Sequence, residues 1–514
     1  MPSVRRRALV GAALVGVSLF ASSQATATSG IDSPTVGVTR LGRGGAWLAR
    51  ADDPLAFYFN PAAMVNQPSG VHLGAHLLFF RQCFDRRNVL GEPVAPSRDL
   101  GPPPEEVCAE APPFPNPQLG AVFRLHRRFA LGVGIVAPHA AGLIEWPETM
   151  TYENRFGVEA EHPAPQRYLL MHREALVAFP TLSASFAITR QLAIGAGFTW
   201  GVGSLETSNM TEAISIIRGT PQPDDHRNDI RATISGFDGF VPGLVASATW
   251  SPHPRIDIAG WYRWSDALRM SIDLYAEADY YADNGQVNEE TIADPDNITD
   301  VEDAGTFELA IPMEAHLGFR YHHPRNGARP QDFVTQHGGW ARDPMSQDVF
   351  DIELDLTWAN NSAVEAVTLR FNEGIGINGT PGSVPENADI PHQWRDVLGV
   401  RLGGEYVPVP DLLALRIGGF FETQGVDPEY LNLDFHAGAK TGVAGGLTVR
   451  LGPVDLSAAY QHTFFWTLDN EGQGVVKTVS GDATTDDFRT RQTVNGGSTS
   501  ASLDEVALGA TYRF

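Results

Sequence analysis

Over the last ten residues of the chain, Val506, Leu508, Ala510, Tyr512 and Phe514 alternate with Glu505, Ala507, Gly509, Thr511 and Arg513. Period two marks a strand whose two faces meet unlike surroundings, whereas a helix would repeat near 3.6. The same alternation recurs in segments of about ten residues, the length a tilted strand needs to cross a bilayer. Leu192, Ile194, Ala196, Phe198, Trp200 and Val202 alternate with Ala193, Gly195, Gly197, Thr199 and Gly201. Phe350, Ile352, Leu354, Leu356 and Trp358 alternate with Asp351, Glu353, Asp355 and Thr357, which sets carboxylates opposite an apolar face. Such segments predict strands near 71–80, 118–126, 129–138, 172–188, 191–205, 238–251, 255–275, 306–321, 347–371, 395–407, 412–423, 440–451, 454–466 and 503–514. Fourteen is an even number, as closure of a bacterial antiparallel barrel requires.

The connections alternate in length. Short turns fall at Arg127-Arg128, Thr189-Arg190, Ser251–Pro254, Val407–Asp411 and Gly452-Pro453, where a transmembrane barrel has its periplasmic turns. Long connections near 81–117, 139–171, 206–237, 276–305, 372–394, 424–439 and 467–502 read as extracellular loops. The segment 322–346 breaks the rule as a long periplasmic connection. The strand at 347–371 needs a bulge at Asn360-Asn361 if Val367, Leu369 and Phe371 are to face lipid. Trp250, Trp261, Tyr262, Trp264, Trp466 and Tyr512 lie near strand ends, as aromatic girdles do.

The N-terminus changes the picture from any all-β protein to an exported one. Arg5, Arg6 and Arg7 precede an apolar run from Ala8 to Ala21 and a small-residue site at Ala25-Thr26-Ala27, so residues 1–27 read as a signal peptide. No later run approaches the roughly 20 apolar residues of a membrane helix. With 52 glycines and 19% charged residues the composition suits a barrel in the outer membrane of a Gram-negative-type bacterium and equally a secreted all-β protein, so composition alone does not choose. The formal charge of −24 makes nucleic acid an unsuitable partner. Acids crowd Glu277 to Asp303, a solvated loop or a divalent-ion bridge to lipopolysaccharide. Cys83 and Cys108, an even pair in an exported chain, predict one disulfide. His72 and His76 share a face, but two residues make no metal site.

Between the leader and the first strand lies Val38-Thr39-Arg40-Leu41-Gly42-Arg43-Gly44-Gly45-Ala46-Trp47, followed by Ala51-Asp52-Asp53-Pro54 and Phe57-Tyr58-Phe59-Asn60-Pro61-Ala62-Ala63-Met64. This stretch resembles the N-terminal hatch of the FadL family of outer-membrane transporters for long-chain fatty acids and other hydrophobic compounds, with its motif at Asn60, Pro61 and Ala62. The glycines make no phosphate loop, because no strand precedes them and no Lys-Ser/Thr follows. The resemblance continues through Ala137-Pro138-His139, Glu145-Trp146-Pro147, Tyr262-Arg263-Trp264-Ser265, Ile311-Pro312, Trp394-Arg395-Asp396, Gly404-Glu405-Tyr406, Asp427-Pro428-Glu429-Tyr430 and Ala459-Tyr460-Gln461-His462. It covers the mature chain except 81–117, 322–346 and 467–502.

The resemblance implies an all-β fold: a 14-stranded antiparallel transmembrane barrel spanning 70–514, plugged by a hatch at 28–69. It implies passive transport without cofactor or catalysis, of a long-chain fatty acid or other hydrophobic ligand, with lateral release into the membrane. In the family a kink in the third strand is the gate, here matched by Gly132, Gly134 and Pro138, residues that weaken pairing. A ligand carboxylate would favour a lumenal cation. By parity Arg263, Arg320, Arg370, Arg401, Arg416 and Arg450 point inward, together with Asp351, Glu353, Asp355 and Glu405; such arginines either pair with those acids and rigidify the barrel or receive the ligand, for which Arg401 and Arg416 are the candidates, being mid-strand on neighbouring strands. The expected surroundings are outer-membrane lipid and lipopolysaccharide, with barrel-assembly machinery reading the terminal Phe514 and the barrel a monomer. A general porin or a structural or adhesive barrel is the alternative. An outer-membrane lipase lacks support, because no Gly-x-Ser-x-Gly elbow is present.

Overall fold

The computed structural model describes residues 36–95, 106–153, 157–212, 226–325, 342–377, 384–477 and 493–514. The expected signal peptide lies outside the described residues. Fourteen antiparallel strands follow one another around a closed sheet: β1 (Gly70–Arg86), β2 (Phe114–His126), β3 (Phe129–Glu145), β4 (His172–Ala187), β5 (Leu192–Glu212), β6 (Asp229–His253), β7 (Ile256–Ser265, resuming as Leu268–Glu277), β8 (Ile298–Leu309, resuming as Glu314–Pro324), β9 (Asp348–Ala359, resuming as Ala366–Phe371), β10 (Asn387–Pro391, resuming as Val397–Val409), β11 (Leu413–Glu422), β12 (Lys440–Leu451), β13 (Val454–Asp469) and β14 (Gly497–Arg513). Closure is made by β1, which pairs with β2 from Gly70↔Val122 and with β14 from Gly70↔Arg513 to Arg86↔Gly497. A closed ladder leaves no edge, which is what lipid demands of a spanning sheet.

The wall has two tiers of opposite polarity. In the lower tier, next to the short turns, the outer face carries exposed Leu73, Phe198, Ile352, Leu402, Ile417 and Leu508. The inner face carries buried Asp351, Glu353, Asp355, Arg263, Arg320 and Arg401. That is the pattern of a barrel in lipid with a polar lumen. In the upper tier the pattern is reversed. Leu268, Met270, Ile272 and Leu274 are buried inside, while Arg269, Ser271, Asp273 and Asp300 face outward.

The change of tier coincides with interruptions on four neighbouring strands: Asp266-Ala267 in β7, 310–313 in β8, 360–365 in β9 and 392–396 in β10. On β7, β8 and β10 each interruption shifts the inward set by one residue, so that Ser265 and Leu268 both face in, as do Leu309 and Glu314. A one-residue slip moves every later side chain to the other face. Several segments of the family resemblance lie at this level, including Trp264-Ser265, Ile311-Pro312 and Trp394-Arg395-Asp396.

The upper tier explains where the sequence expectations fall short. Most strands run longer than expected at their upper ends, because a search for apolar outward positions stops where the outer face meets water. Val367 and Leu369 are buried inside rather than lipid-facing. Arg370 on the same strand points outward and pairs with Asp389, so it is no lumenal cation. Trp261 is also inward, donating from Nε1 to the carbonyl of Tyr58 at 2.8 Å, while Tyr262 and Trp264 beside it are exposed on the outer face. Of the long connection at 322–346, residues 344–347 form a single helical turn beneath the barrel. Arg342 donates there to the carbonyl of Asn66, and Asp343 accepts from Arg450 at 2.6 Å.

Candidate functional site

Residues 36–69 lie within the lower tier, almost wholly buried. The segment forms two short helical turns, α1 (Val38–Leu41) and α2 (Ala56–Phe59), and a 3₁₀ turn at Pro61–Asn66. Its charges meet those of the wall. Arg43 pairs with Asp351 at 2.7 Å and Glu353 at 3.3 Å, and Arg50 pairs with Asp351, with Glu405 at 2.7 Å and with Asp52 at 3.0 Å. Asp355 accepts the backbone N–H groups of Trp47 and Leu48 at 3.0 and 3.1 Å, and Glu353 accepts that of Ala49. Buried charges persist only when paired and hydrogen-bonded, so these contacts specify one seat for the segment.

Close approach makes the rest of the fit. Gly44, at φ 62°, touches the backbone of β11 so closely that a Cβ would collide with Gly418 and Gly419. Only glycine combines that left-handed conformation with no side chain. The expected motif does structural work. Asn60 donates from Nδ2 to the carbonyl of Leu48 at 2.7 Å, folding the segment on itself, and Pro61 opens the 3₁₀ turn. The N–H of Ala62 donates to Ser247 Oγ on β6 at 2.8 Å. His76 accepts the N–H of Gly37 at Nε2, and His72 bonds Thr511, so both histidines belong to the seat and its surroundings.

Among the described residues, one place in the wall departs from closure. The β2–β3 ladder ends at Leu119↔Ile135, and above it the next paired point is the bridge Glu110↔Glu145. Along this stretch β2 stays paired with β1 through Pro115 and Phe114, and β3 stays with β4, slipping register between Val136 and His139 and again between Ala140 and Gly142. Between 111–118 and 136–144 the described residues contain a single polar link, from Asn116 Nδ2 to the carbonyl of Ala137 at 2.9 Å. Ala137, beside the interruption, packs on Ala178 of β4, with Phe114 and Val202 against them. Behind it lies the continuous apolar interior, which includes Phe57, Val136, Trp146, Phe179, Leu268 and Trp394.

Pro138 sits within the register slip, as a residue without an N–H should. Gly132 and Gly134 do not. Both are regularly paired on each side, with Val122 and Gly120 of β2 and with Ser183 and Thr181 of β4. Their role is to admit the N-terminal segment, since a Cβ at Gly132 would strike Met64 and Phe57, and one at Gly134 would strike Phe57. The expectation that these glycines break the strand is therefore corrected to Pro138 and its neighbours.

The expected carboxylate ligands are corrected too. Arg401 is paired with Glu422 and lies over Phe420, and Arg416 is held by Glu405 at 2.7 Å and Thr448 at 2.7 Å. Arg401 is buried and Arg416 half-buried, each with its charge already matched, so neither is available to a ligand. Arg40 escaped notice because nothing in its sequence position distinguishes it from Arg43 and Arg50. Its guanidinium lies 4.4 Å from the Phe59 ring centre, and it makes no ion pair or side-chain hydrogen bond with the described residues. Burial, then the neighbouring Arg401, pushes its pKa down to about 10, which leaves it charged at neutral pH.

Cys83 on β1 is disulfide-bonded to Cys108. The bond ties residues 106–111 to β1, while Glu110 reaches β3, so this short stretch forms the upper edge of the interruption. A loop with a separation of 25 residues is closed. Reduction is expected to lower stability by about 3 kcal/mol on loop-closure grounds. Unfolding midpoints with and without reductant check this, and labelling of both thiols in the unreduced, denatured protein would reject the bond.

A fourteen-stranded transmembrane barrel whose lower lumen is filled by its own N-terminus, with one interrupted wall, defines the architecture. No protein-family model and no curated protein matches the chain by sequence. Solved structures do. A FadL homologue of Pseudomonas aeruginosa aligns at a TM-score of 0.65 and 19% identity, over 95% of this chain and 100% of that one. The toluene transporter TodX of Pseudomonas putida aligns at 0.60 and 13% identity, over 94% and 99%. The toluene transporter TbuX of Ralstonia pickettii aligns at 0.55 and 14%, again over 94% and 99%. This chain therefore has the fold of the FadL-type outer-membrane channels.

Proposed function

We propose that this protein is a passive outer-membrane channel for long-chain fatty acids or other hydrophobic molecules, not an enzyme. In this reading residues 28–69 are the plug, and cargo leaves sideways between β2 and β3. The observation that carries the reading is the missing β2–β3 ladder above Leu119↔Ile135, backed by a continuous apolar interior. A hydrocarbon chain gains about 0.8 kcal/mol for each CH₂ taken from water, so it moves between apolar stations and not along a water-filled pore. A complete ladder would bar sideways exit, and an interrupted one with small side chains at its edge permits it.

The plug argues against the general porin, because the lower lumen is occupied by buried, ion-paired chain. The exposed apolar band and the aromatic residues at its margins support residence in an outer membrane. Lipid and lipopolysaccharide would surround the barrel, and Phe514 would be the feature read by the assembly machinery. Uptake of a radiolabelled long-chain fatty acid and of toluene should be faster in cells expressing the protein than in cells lacking it, and mass spectrometry of the purified protein should find hydrophobic molecules carried along. Equal uptake of both compounds with and without the protein would overturn the reading.

A further inference from the structure

We propose that residues 342–347 are a fixed strap across the periplasmic mouth, which braces the N-terminal segment from below and stays in place while cargo passes. The chain does not need this excursion to join β8 to β9. Their pairing runs to Pro324↔Asp348, and the N–H of Arg325 continues it by donating to the carbonyl of Gln347 at 2.8 Å, so a two-residue turn would suffice. Other turns at this end are that short: Arg127-Arg128 joins β2 to β3, Pro254-Arg255 joins β6 to β7, and Gly452-Pro453 joins β12 to β13. A connection longer than its strands require, and anchored beyond them, points to a function of its own.

The anchors lie on opposite walls. Arg342 pairs with Asp257 of β7 at 2.8 Å and donates to Ser251 Oγ of β6. Its neighbour Asp343 is gripped by both terminal nitrogens of Arg450 on β12, at 2.6 and 3.1 Å, and lies 3.5 Å from Arg513 on β14. Since β7 and β14 stand half-way round the ring from each other, two consecutive residues tie the walls together across the opening. Asp455 of β13 holds Arg450 at 2.6 Å and Arg513 at 2.5 Å, which fixes both arginines for this contact. Met345 is buried against Val407 of β10 and Ala414 of β11, and its carbonyl accepts the N–H of Asp411 at 3.2 Å. The brace itself is the N–H of Arg342, which donates at 2.7 Å to the carbonyl of Asn66, just before the N-terminal segment enters β1. Swinging this turn aside would break the charge-assisted bonds together and expose Met345, so it behaves as a fixture and not as a lid. It spans the mouth without filling it.

Two variants of the full-length chain test the strap, each checked for assembly by its mobility in unheated gels. Replacing residues 326–346 by Asn-Gly removes the strap and leaves the β8–β9 pairing intact. In planar bilayers under rising urea this variant should begin to conduct at roughly 1 M less denaturant than wild type, because the N-terminal segment has lost its brace. Met345→Cys combined with Ala414→Cys places two thiols where these side chains pack, and the oxidised cross-link, verified by peptide mass spectrometry, locks the strap in place. Uptake of labelled fatty acid by cells carrying the locked protein should equal that of either single variant. Conduction at wild-type urea in the shortened chain, or uptake lost in the locked protein and kept in both single variants, would overturn the strap. The uptake arm rests on the transport reading, whose failure is seen separately as no uptake by wild type, and the urea arm then decides the strap alone.

Discussion

Deletion of residues 28–69 is expected to convert the barrel into an open, cation-selective pore. The wall keeps its own hydrogen bonds without that segment, since β1 pairs with β14 along Gly70↔Arg513 to Arg86↔Gly497 and with β2 on its other side. What leaves is the chain that fills the lower lumen, and with it Arg43 and Arg50. Their partners Asp351, Glu353 and Glu405 stay on the inner face, now hydrated and with fewer cations near them. Water entry relieves the desolvation that would otherwise accompany unpaired acids in a closed core. Single-channel recording in planar bilayers should show conductance well above the intact protein, with reversal potentials favouring cations. The double substitution Arg43→Ala and Arg50→Ala should open the lumen intermittently, since the amide contacts of Trp47, Leu48 and Ala49 with Asp355 and Glu353 remain. Near-zero conductance from a correctly assembled deletion would refute the plug.

The second large effect concerns the wall. Ala137→Trp is expected to abolish transport while binding persists, because Ala137 lies on β3 where its pairing with β2 is interrupted and packs there against Phe114 of β2. An indole there would fill the proposed sideways exit and leave the paired parts of both strands untouched, Leu119↔Ile135 below and the β3–β4 ladder from Phe129↔Phe186. Uptake of labelled fatty acid should drop to that of cells without the protein. The contrast with Gly132→Val is informative. That side chain would drive into Phe57 and Met64, so it should dislodge the N-terminal segment and raise conductance, not block the exit. Wild-type uptake by an assembled Ala137→Trp variant would place the exit elsewhere.

Much of this architecture was legible along the chain. The number of strands follows from period-two alternation, and the N-terminal segment was marked by Asn60-Pro61-Ala62 and its glycines before its seat was visible. The carboxylate row at Asp351, Glu353 and Asp355 could be assigned to the inner face because acids cannot line up against lipid. These features are local, as the identity of neighbours two residues apart decides which face each side chain occupies.

What escaped the sequence depends on partners far away along the chain. No single strand announces that its outer face has passed from lipid to water: β9 keeps its inward parity from Asp351 to Leu369 across its interruption, so the bulge expected at Asn360-Asn361 put Val367, Leu369 and Arg370 on the wrong sides. Gly132 and Gly134 look like strand breakers until Phe57 and Met64 are seen against them. The break in the wall is an absence of pairing between two strands that both stay paired on their other flanks, and no residue encodes an absence. The arginines show the limit most clearly. Arg401, Arg416 and Arg40 are chemically identical in the sequence, and only the folded lumen, by giving Glu422 to the first and Glu405 to the second, leaves the third without an ion-paired acid among the described residues, because electrostatic matching is settled by distances between strands that the linear order does not contain.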